Sequence, residues 1–327
     1  MNPIIPILAL LLFPGGLALI GSGLVYEYVD RKLVARYQNR IGPRWFQPLA
    51  DLIKLLAKEE IIPAGVQPGL FIVLPVIGLA GSLTAALYVP LFGFQPAYAY
   101  RGDLIVTMYL LSMMTLCLGL AGSNTLDRFS LIGATRTLTQ LFSYEAPFML
   151  ALLGPALAAQ SWQISEINAF SQNHFPMAIT QIIGFVIAIV GLMGKLELPP
   201  FDAPEAETEI VSGALTEYSG RGLALFHIGK DVEMVIALSL VSAFYLGGLA
   251  FPFEGMAPWL AVCLNILIFL AKTMGLLLFM AALQSLFARL RIDQTVGLWW
   301  RIGALLALVN LLLVVVLKTA GLGGYWL

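Results

Sequence analysis

The chain has 327 residues, of which 59% are hydrophobic and only 11% charged, and its formal net charge is −1. A soluble domain usually carries about 25% charged residues, so water is not the main solvent of this protein. A net charge so close to zero gives no sign of a nucleic-acid partner, and we expect none. The composition predicts a single integral membrane domain over residues 1–327, surrounded by the lipid bilayer.

Eight continuous apolar runs are long enough to cross a bilayer, for which a helix needs about 20 residues. The runs lack the two-residue alternation of barrel strands and therefore favour helices. The predicted fold is all-α, a polytopic membrane helix bundle with about eight transmembrane helices. The first run has no basic segment before it, which indicates a permanent span and not a signal peptide. The predicted spans lie near residues 4–28, 69–92, 104–122, 141–160, 177–196, 232–251, 258–285 and 299–319.

The distribution of Lys and Arg predicts the orientation. Most of the 18 basic residues lie in the odd-numbered loops, and basic loops stay in the cytoplasm. The exceptions are Arg101 in an even-numbered loop, Lys318 at the end of the last span, and Lys272 within a span. We expect both termini outside a cell (inner or plasma) membrane. The predicted cytoplasmic loops are about 29–68, 123–140, 197–231 and 286–298.

The first cytoplasmic loop contains an amphipathic segment at 44–60 that is too polar to span the membrane. Its leucines and isoleucine recur at helical spacing, and its charged residues occupy the opposite face. We expect a helix in the plane of the interface. It is either a passive anchor or one wall of a site that opens to the cytoplasm. The apolar residues are Leu49, Leu52, Ile53 and Leu56, and the charged ones are Asp51, Lys54 and Lys58.

The loop at 197–231 and the start of the next span hold eight of the 19 acidic residues. Asp202 and Glu205 have the spacing of a capping box, with Asp202 as helix N-cap. Glu205 and Glu209 would then share one helical face. Carboxylates crowded in a partly dry setting raise one another's pKa, which suits proton transfer near neutral pH. Capping does not account for three further members of the cluster, Glu207, Glu209 and Glu217.

Three ionisable residues fall at or inside predicted spans: Glu27, Glu145 and Lys272. Charged groups at such depth are costly, usually face the bundle interior and often mark ion or proton paths. Lys272 is central enough that we expect a buried partner, either in a path or in a purely structural ion pair. Glu27 could instead reach the interface.

The chain offers no set of metal ligands. Cys117 and Cys263 lie inside apolar runs, and His174 and His227 are predicted in separate loops. These residues have no metal-ligand spacing. We therefore expect no metal and no redox cofactor bound by this chain.

Five segments, in this order, resemble the eight-helix membrane subunit, of the subunit 1 or H type, that Complex I shares with energy-converting membrane-bound nickel–iron hydrogenases. The similarity extends from about Tyr26 to Trp300. The segments are RKLVARYQNRIGP (31–43), QPLADLIKLLAKE (47–59), TRTLTQLFSYEAP (135–147), LPPFDAPEAETEIVSGALTEYSG (198–220) and ARLRIDQ (288–294).

The resemblance implies a subunit that forms much of a quinone chamber, leads a chain of acidic residues toward antiporter-like subunits, and carries no redox cofactor. Its implied partners are a hydrogenase-like large subunit, an iron–sulfur small subunit and antiporter-like membrane subunits. The iron–sulfur clusters, and any nickel–iron centre, would lie in those partners. The candidate proton-relay residues are Glu27, Glu145, Glu205, Glu207, Glu209, Glu217 and Lys272. The candidate interface with the redox module is Arg36, Arg40, Arg44, Trp45, Asp51, Lys54, Asp202, Tyr218 and Arg221.

Two segments, GPRWFQP and RLRIDQ, are shorter than or different from the respiratory pattern and are more similar to the hydrogenases and archaeal sulfur-reducing complexes. That branch implies electrons from reduced ferredoxin, protons or a sulfur compound as acceptor, and pumping of protons or sodium. Quinone binding stays open, as does the alternative of a quinone-chamber subunit in a respiratory dehydrogenase. A free-standing secondary transporter would show inverted repeats, and the two halves show none.

Overall fold

The structure, a computed structural model, describes residues 11–12, 15–174, 178–253, 255 and 257–319. The side chains of 178–180 and of Glu207 lie outside this description. The description also leaves out both chain ends, most of the predicted first span before Gly16, and the first residue of the predicted fifth span.

Twelve α-helices form within the described ranges, and no β-sheet forms there, which confirms the all-α prediction. In chain order they are α1 (Gly16–Tyr37), α2 (Gln47–Ala57), α3 (Pro68–Ala85), α4 (Asp103–Ser123), α5 (Arg128–Ala159), α6 (Ile164–Asn173), α7 (Ala178–Lys195), α8 (Glu207–Ile210), α9 (Gly220–Tyr245), α10 (Pro258–Leu286), α11 (Ile292–Leu298) and α12 (Ala304–Thr319). A 3-10 turn at Gly213–Leu215 precedes α9, and a π-helical turn joins α11 to α12.

Five described helices are long and apolar enough to cross a bilayer: α3, α4, α5, α10 and the continuous helix Ile292–Thr319. Helix α7 is apolar but shorter over Gln181–Lys195. Helices α1 and α9 coincide with two further predicted spans and carry charged residues in their interiors. The chain is thus a polytopic membrane helix bundle.

Three helices begin earlier than predicted. The continuous helix Ile292–Thr319 starts inside the predicted loop 286–298, before the predicted span 299–319. Helix α5 starts at Arg128 because Asp127 caps it, accepting hydrogen bonds from the N–H groups of Phe129 and Ser130 at 2.9 and 3.0 Å. Most of the predicted loop 123–140 is therefore helical, and Glu145 lies near the middle of α5 instead of at its start. Helix α9 starts at Gly220, about three turns before the predicted span.

The predicted capping box is wrong. Helix α8 begins at Glu207 with Ala206 as N-cap, and no side chain caps it. The carboxylates of Asp202 and Glu205 bind distant cations instead, Arg289 and Lys230. Because α8 starts after Glu205, Glu205 and Glu209 do not share a helical face. Both carboxylates form ion pairs in place of the local cap. Their cations are far away in sequence, so the sequence pattern did not indicate these pairs.

Helix α9 is the centre of the bundle, since every residue from Asp231 to Tyr245 is buried. Helix α1 packs closely against it at Gly23, where a Cβ would lie 3.0 Å from the Cβ of Asp231. The 3-10 turn packs on α5 at Gly133, where a Cβ would lie 2.3 Å from the backbone nitrogen of Ala214. Gly23 thus lets α1 lie directly against the charged start of α9, and Gly133 lets the 3-10 turn lie directly against α5.

The connecting segments gather at two ends of the bundle. Residue contacts join α2, the segment 196–219 and the segment 287–291, which we call the loop end. The segments 86–102, 160–163 and 246–253 contact one another at the opposite end. This separation matches the predicted odd-numbered and even-numbered loops. Which end faces the cytoplasm stays a prediction.

Candidate functional site

A cavity of about 310 Å³ lies at the loop end between α1, α2 and α9. The Arg31 guanidinium pairs with Glu27 one turn earlier, and its other nitrogen is 3.9 Å from Asp51 on α2. Gln47 donates a 2.8 Å hydrogen bond to Asp51 and fixes that carboxylate within α2. Glu27 and Asp231 both line the cavity, and their carboxyl groups are close enough to interact.

Helix α2 is a wall of this cavity, which favours the second of its two predicted interpretations. Leu52 and Leu55 line the cavity together with Asp51 and Lys54. The remaining apolar residues of α2 point away from the bundle and are exposed, as expected for a helix at a bilayer or partner surface. They are Leu49, Ile53 and Leu56, which are 45–56% exposed.

A second cavity, of about 210 Å³, adjoins the first and shares Leu223 and His227 with it. Glu205, Thr216 and Tyr218 complete the polar part of its lining. The Tyr218 ring stacks on Phe71 at 4.0 Å and its hydroxyl donates to the Phe71 carbonyl at 3.3 Å. His227 therefore stands between two cavities that carry carboxylates.

Lys230 bridges two glutamates below the second cavity. Its ammonium is 2.6 Å from Glu197 and also contacts Glu205. Burial raises the pKa of Glu197, and the charge of Lys230 opposes this only in part. Burial also favours a higher pKa for Glu205, but the charge and hydrogen bond of Lys230 outweigh it and hold that pKa below its usual value. Lys230 thus leaves Glu197 with a raised pKa and Glu205 with a lowered pKa.

A second ion pair lies deeper. Lys195 and Glu233 are 2.9 Å apart, and both side chains are at most 2% exposed. Glu197 and Glu233 are close enough to interact electrostatically, and Glu233 acts in the same way on Tyr144. Several buried polar atoms of this region have no hydrogen-bond partner among the described residues. They include Glu197 Oε1, Gln140 Oε1 and Trp299 Nε1.

Glu145 follows Tyr144 in α5 and opens onto the side of the bundle. Its carboxylate accepts a 2.7 Å hydrogen bond from Ser112 on α4. The two residues line an otherwise apolar cleft of about 470 Å³ with the exposed rings of Tyr109 and Phe142. Ionisable groups therefore extend from the loop end to a lateral surface of the bundle.

Comparison with known proteins identifies the family. The family model described as NADH dehydrogenase matches residues 8–315. The chain belongs to the NADH dehydrogenase family. It is 30% identical to the H subunit of the NADH-quinone oxidoreductase of Thermomicrobium roseum, over 93% of this chain and 94% of that protein. It is 30% identical to the second H subunit of the NADH-quinone oxidoreductase of Syntrophobacter fumaroxidans, over 90% of each.

A solved structure shares the fold of this NADH dehydrogenase family member. A chain of the membrane-bound sulfane sulfur reductase, an archaeal respiratory membrane complex, superposes with a TM-score of 0.81. The sequences are 23% identical, and the superposition covers 91% of this chain and 96% of that one. The family and the fold together make this chain a membrane protein of the Complex I H-subunit type.

One other predicted relay residue, Glu209, stabilises the surface of the loop end. Arg136 donates a 2.8 Å hydrogen bond to Glu209 and a 3.2 Å bond to the Ala203 carbonyl. The hydrogen bond and charge of Arg136 lower the pKa of Glu209. The sequence predicted that crowding raises the pKa of these carboxylates. The pKa values of Glu205 and Glu209 are lowered instead, because each carboxylate is paired with a cation. Glu217 is half-buried and forms no ion pair within the described ranges.

Lys272 has a partner of a different kind from the expected ion pair. Its ammonium donates to the carbonyls of Gly247 and Gly248 at 3.3 and 2.6 Å, and it lies 4.8 Å from the Phe251 ring centre. These groups belong to the segment after α9 at the opposite end. No carboxylate pairs with Lys272 in the described part of the chain, so it stands apart from the loop-end carboxylates.

The predicted interface residues divide into two groups. Six are exposed at or beside the loop end: Arg36, Arg40, Arg44, Trp45, Lys54 and Arg221. Asp51 lines the first cavity, and Asp202 pairs with Arg289 through contacts of 2.9 and 2.5 Å. Tyr218 is only 4% exposed, and its contact with a partner stays a prediction.

Sequence reasoning did not propose several members of the site. The signal for the members in α9 was an apolar helix interrupted by charges at 230, 231 and 233, and the predicted span 232–251 left out the first two. Which helix each charge faces is a matter of packing, and the sequence alone does not give it. The residues are Tyr144, Lys195, Glu197, His227, Lys230, Asp231 and Glu233.

Proposed function

We propose that this chain is the coupling subunit of an ion-pumping oxidoreductase related to Complex I, and that it carries no redox centre of its own. It would anchor a hydrophilic redox module at the loop end and pass the effect of electron transfer into the membrane as proton movement. The observation that carries this proposal is the series of ionisable groups from the first cavity to Glu145.

The first part of the proposed path runs along the two cavities. A proton entering at Glu27 and Asp231 would pass His227, whose ring faces both cavities, and reach Glu205. Lys230 joins Glu205 to Glu197, and the two carboxyls differ in proton affinity. Electron transfer at the loop end would change the charge near Lys230 and weaken its contact with Glu205. The pKa of Glu205 would then rise relative to that of Glu197.

The second part runs through the bundle interior. Buried polar atoms are almost always hydrogen-bonded to protein or water. The unpartnered atoms of Glu197, Gln140 and Trp299 therefore support ordered water between these residues. Such water would link Glu197 and the Lys195–Glu233 pair to Tyr144 and so to Glu145. The lateral cleft at Glu145 would face an antiporter-like membrane subunit, which carries the proton or sodium ion onward.

Redox chemistry in this proposal belongs to the partners. The exposed basic surface around Arg36, Arg40 and Arg44 is suited to a hydrogenase-like large subunit and an iron–sulfur small subunit with acidic docking faces. Those subunits would hold the iron–sulfur clusters and any nickel–iron centre. The short GPRWFQP segment favours the hydrogenase or sulfur reductase type, with ferredoxin as electron source and protons or a sulfur compound as acceptor.

Amide variants of two glutamates test the coupling role. Glu197→Gln keeps size and hydrogen-bonding shape and removes the titratable proton, so the complex should assemble while ion transport into vesicles falls at least about tenfold. Glu209→Gln is the matched control at the surface, where Arg136 already holds the carboxylate. Wild-type transport by assembled Glu197→Gln would overturn the proposed path.

Cross-linking tests the docking role separately. Cysteines would be placed at exposed positions of each end in a Cys263→Ser background, because Cys263 is exposed. A cysteine at Arg44 should cross-link to a hydrophilic subunit containing iron–sulfur clusters. A cysteine at Tyr98, which is 42% exposed at the opposite end, should not. The reverse pattern would overturn both the docking role and the predicted orientation.

A quinone-chamber subunit of a respiratory dehydrogenase is the second candidate. The names of the curated relatives favour it, since they are subunits of NADH-quinone oxidoreductases. The first cavity is its natural site, between α1, α2 and α9. Inhibitors that occupy quinone chambers distinguish the two candidates. Strong inhibition in membranes, with resistance mutations around Leu52 or His227, would favour the quinone candidate.

A further inference from the structure

A cleft of about 360 Å³ lies at the opposite end, between the end of α5 and the last turns of α12. Its walls are apolar and include Leu157, Val314 and Val315. Its rim is polar and includes Trp162 and Lys318. None of the lining residues is acidic, and Lys318 is the charged residue at the mouth of an apolar interior. Ser161 at the rim donates to the carboxylate of Glu166, which lies outside the lining.

Lys318 is fixed at the mouth by the end of α5. Its ammonium donates to the carbonyls of Leu157 and Ala158 at 2.8 and 2.9 Å. Both carbonyls lie in the last turn of α5, where the usual helical donors are missing. The Leu157 carbonyl also accepts from the N–H of Gln160 at 3.3 Å. An ammonium has three donors, so one N–H is left for a ligand. The two bonds therefore position the charge without using all of its donors.

The cleft opens onto a surface that faces lipid or a membrane partner. Only 17% of an 18-residue apolar stretch of the helix Ile292–Thr319 is buried, the lowest share among the five apolar spans. Leu312 and Val316 beside the cleft are 64% and 59% exposed. Trp162 at the polar rim is 46% exposed, in keeping with tryptophans that lie at the level of lipid headgroups.

We propose that this cleft binds a membrane phospholipid, with its phosphate at Lys318 and one acyl chain along Leu157 and Val315. Charge complementarity at the mouth and apolar walls continuous with an exposed span favour a lipid over a free anion. The Trp162 carbonyl accepts from the N–H of Leu104 at 3.3 Å, so the rim adjoins the start of α4. The proposal does not depend on the coupling role.

Photo-cross-linking in nanodiscs tests this site. The purified complex is placed in discs of phosphatidylglycerol that contains a diazirine on the acyl chain, and labelled peptides are mapped. Label should appear at Leu157 or Val315. Lys318→Gln should lower its yield about fivefold, the effect of one basic residue near an anionic headgroup. Lys318→Arg should keep the yield, and added inorganic phosphate should not compete.

A second variant keeps the charge and fills the space. Val315→Phe narrows the cleft on an exposed helix face, so folding is preserved while the acyl chain is displaced. Label should fall at this site and stay unchanged at exposed positions of α3 such as Val76. Three results would overturn the proposal: equal labelling in wild type and Lys318→Gln, competition by free phosphate, or cross-links from this cleft to a neighbouring membrane subunit in place of lipid.

Discussion

Lys195 at the end of α7 and Glu233 in α9 form a 2.9 Å ion pair that is sealed inside the bundle, with neither side chain more than 2% exposed. Two charges taken out of water are tolerated only as a pair. The pair therefore fixes the register of α7 on α9 and brings a carboxylate next to Tyr144.

Removing one member of this pair should be costly. Lys195→Met leaves Glu233 buried without its cation, which typically costs about 3–5 kcal/mol. The thermal midpoint and the yield of the purified complex should both fall. The double variant Lys195→Met with Glu233→Gln should recover much of the loss. Lys58→Met makes the same change at an exposed lysine and should have little effect. A single variant as stable as wild type would show that the pair is not charged.

The spans were predictable because hydropathy is a local property of the sequence. Helices α3, α4 and α10 begin within a residue of the predicted bounds. Helix α5 was placed too late because Asp127, an N-cap signal, precedes a polar turn that reads as a loop. The Lys195–Glu233 pair was not predictable, since it joins two helices whose relative rotation is set by packing. For the same reason Asp202 and Glu205 were assigned to a local cap.

The contact between α5 and the 3-10 turn should not tolerate a side chain at Gly133. Its Cβ would lie 2.3 Å from the Ala214 nitrogen and 2.5 Å from the Gly213 Cα, and both belong to backbone. Gly133→Ala should therefore destabilise the complex by about 1–3 kcal/mol, as overpacked sites do. Hydrogen exchange should also rise in the segment 203–219.

Gly275 in α10 provides the control for this substitution. A Cβ there would meet nothing within 4 Å, and alanine is the better helix former by about 1 kcal/mol. Gly275→Ala should leave the thermal midpoint unchanged or raise it. Equal effects at both positions would mean that the turn can move away from Gly133 at no cost.

The Arg136–Glu209 contact should weaken in acid. The hydrogen bond and charge of Arg136 lower the pKa of Glu209 in the folded chain, against about 4.3 in an unfolded one. Its stabilising effect is therefore complete above the unfolded value and is lost as the pH falls through the lower folded value. Hydrogen exchange in the segment 203–213, measured from pH about 6 downward, should rise below pH about 4.

Two comparisons separate this contact from general acid unfolding. Glu209→Gln should show faster exchange in that segment already at neutral pH and a smaller change on acidification. Salt should act in the same direction as acid, since Glu209 is 52% exposed and exposed pairs are screened. An unchanged acid response in Glu209→Gln would assign the effect to another carboxylate.

Lys272 should act on the segment after α9, because its described partners are the carbonyls of Gly247 and Gly248 and the ring of Phe251. Gly247 and Gly248 have φ values of +74° and +71°, which turn the chain back into the bundle. Lys272→Met keeps the long stem and removes the donor, so exchange should rise in the segment 246–253. Lys272→Arg keeps a donor and should retain much of the protection. Ion transport measured on the same vesicles tests the relay role that the sequence predicted for Lys272. Loss of transport while the segment stays protected would support a direct role in the path. Loss of protection with intact transport would limit Lys272 to stabilising this segment.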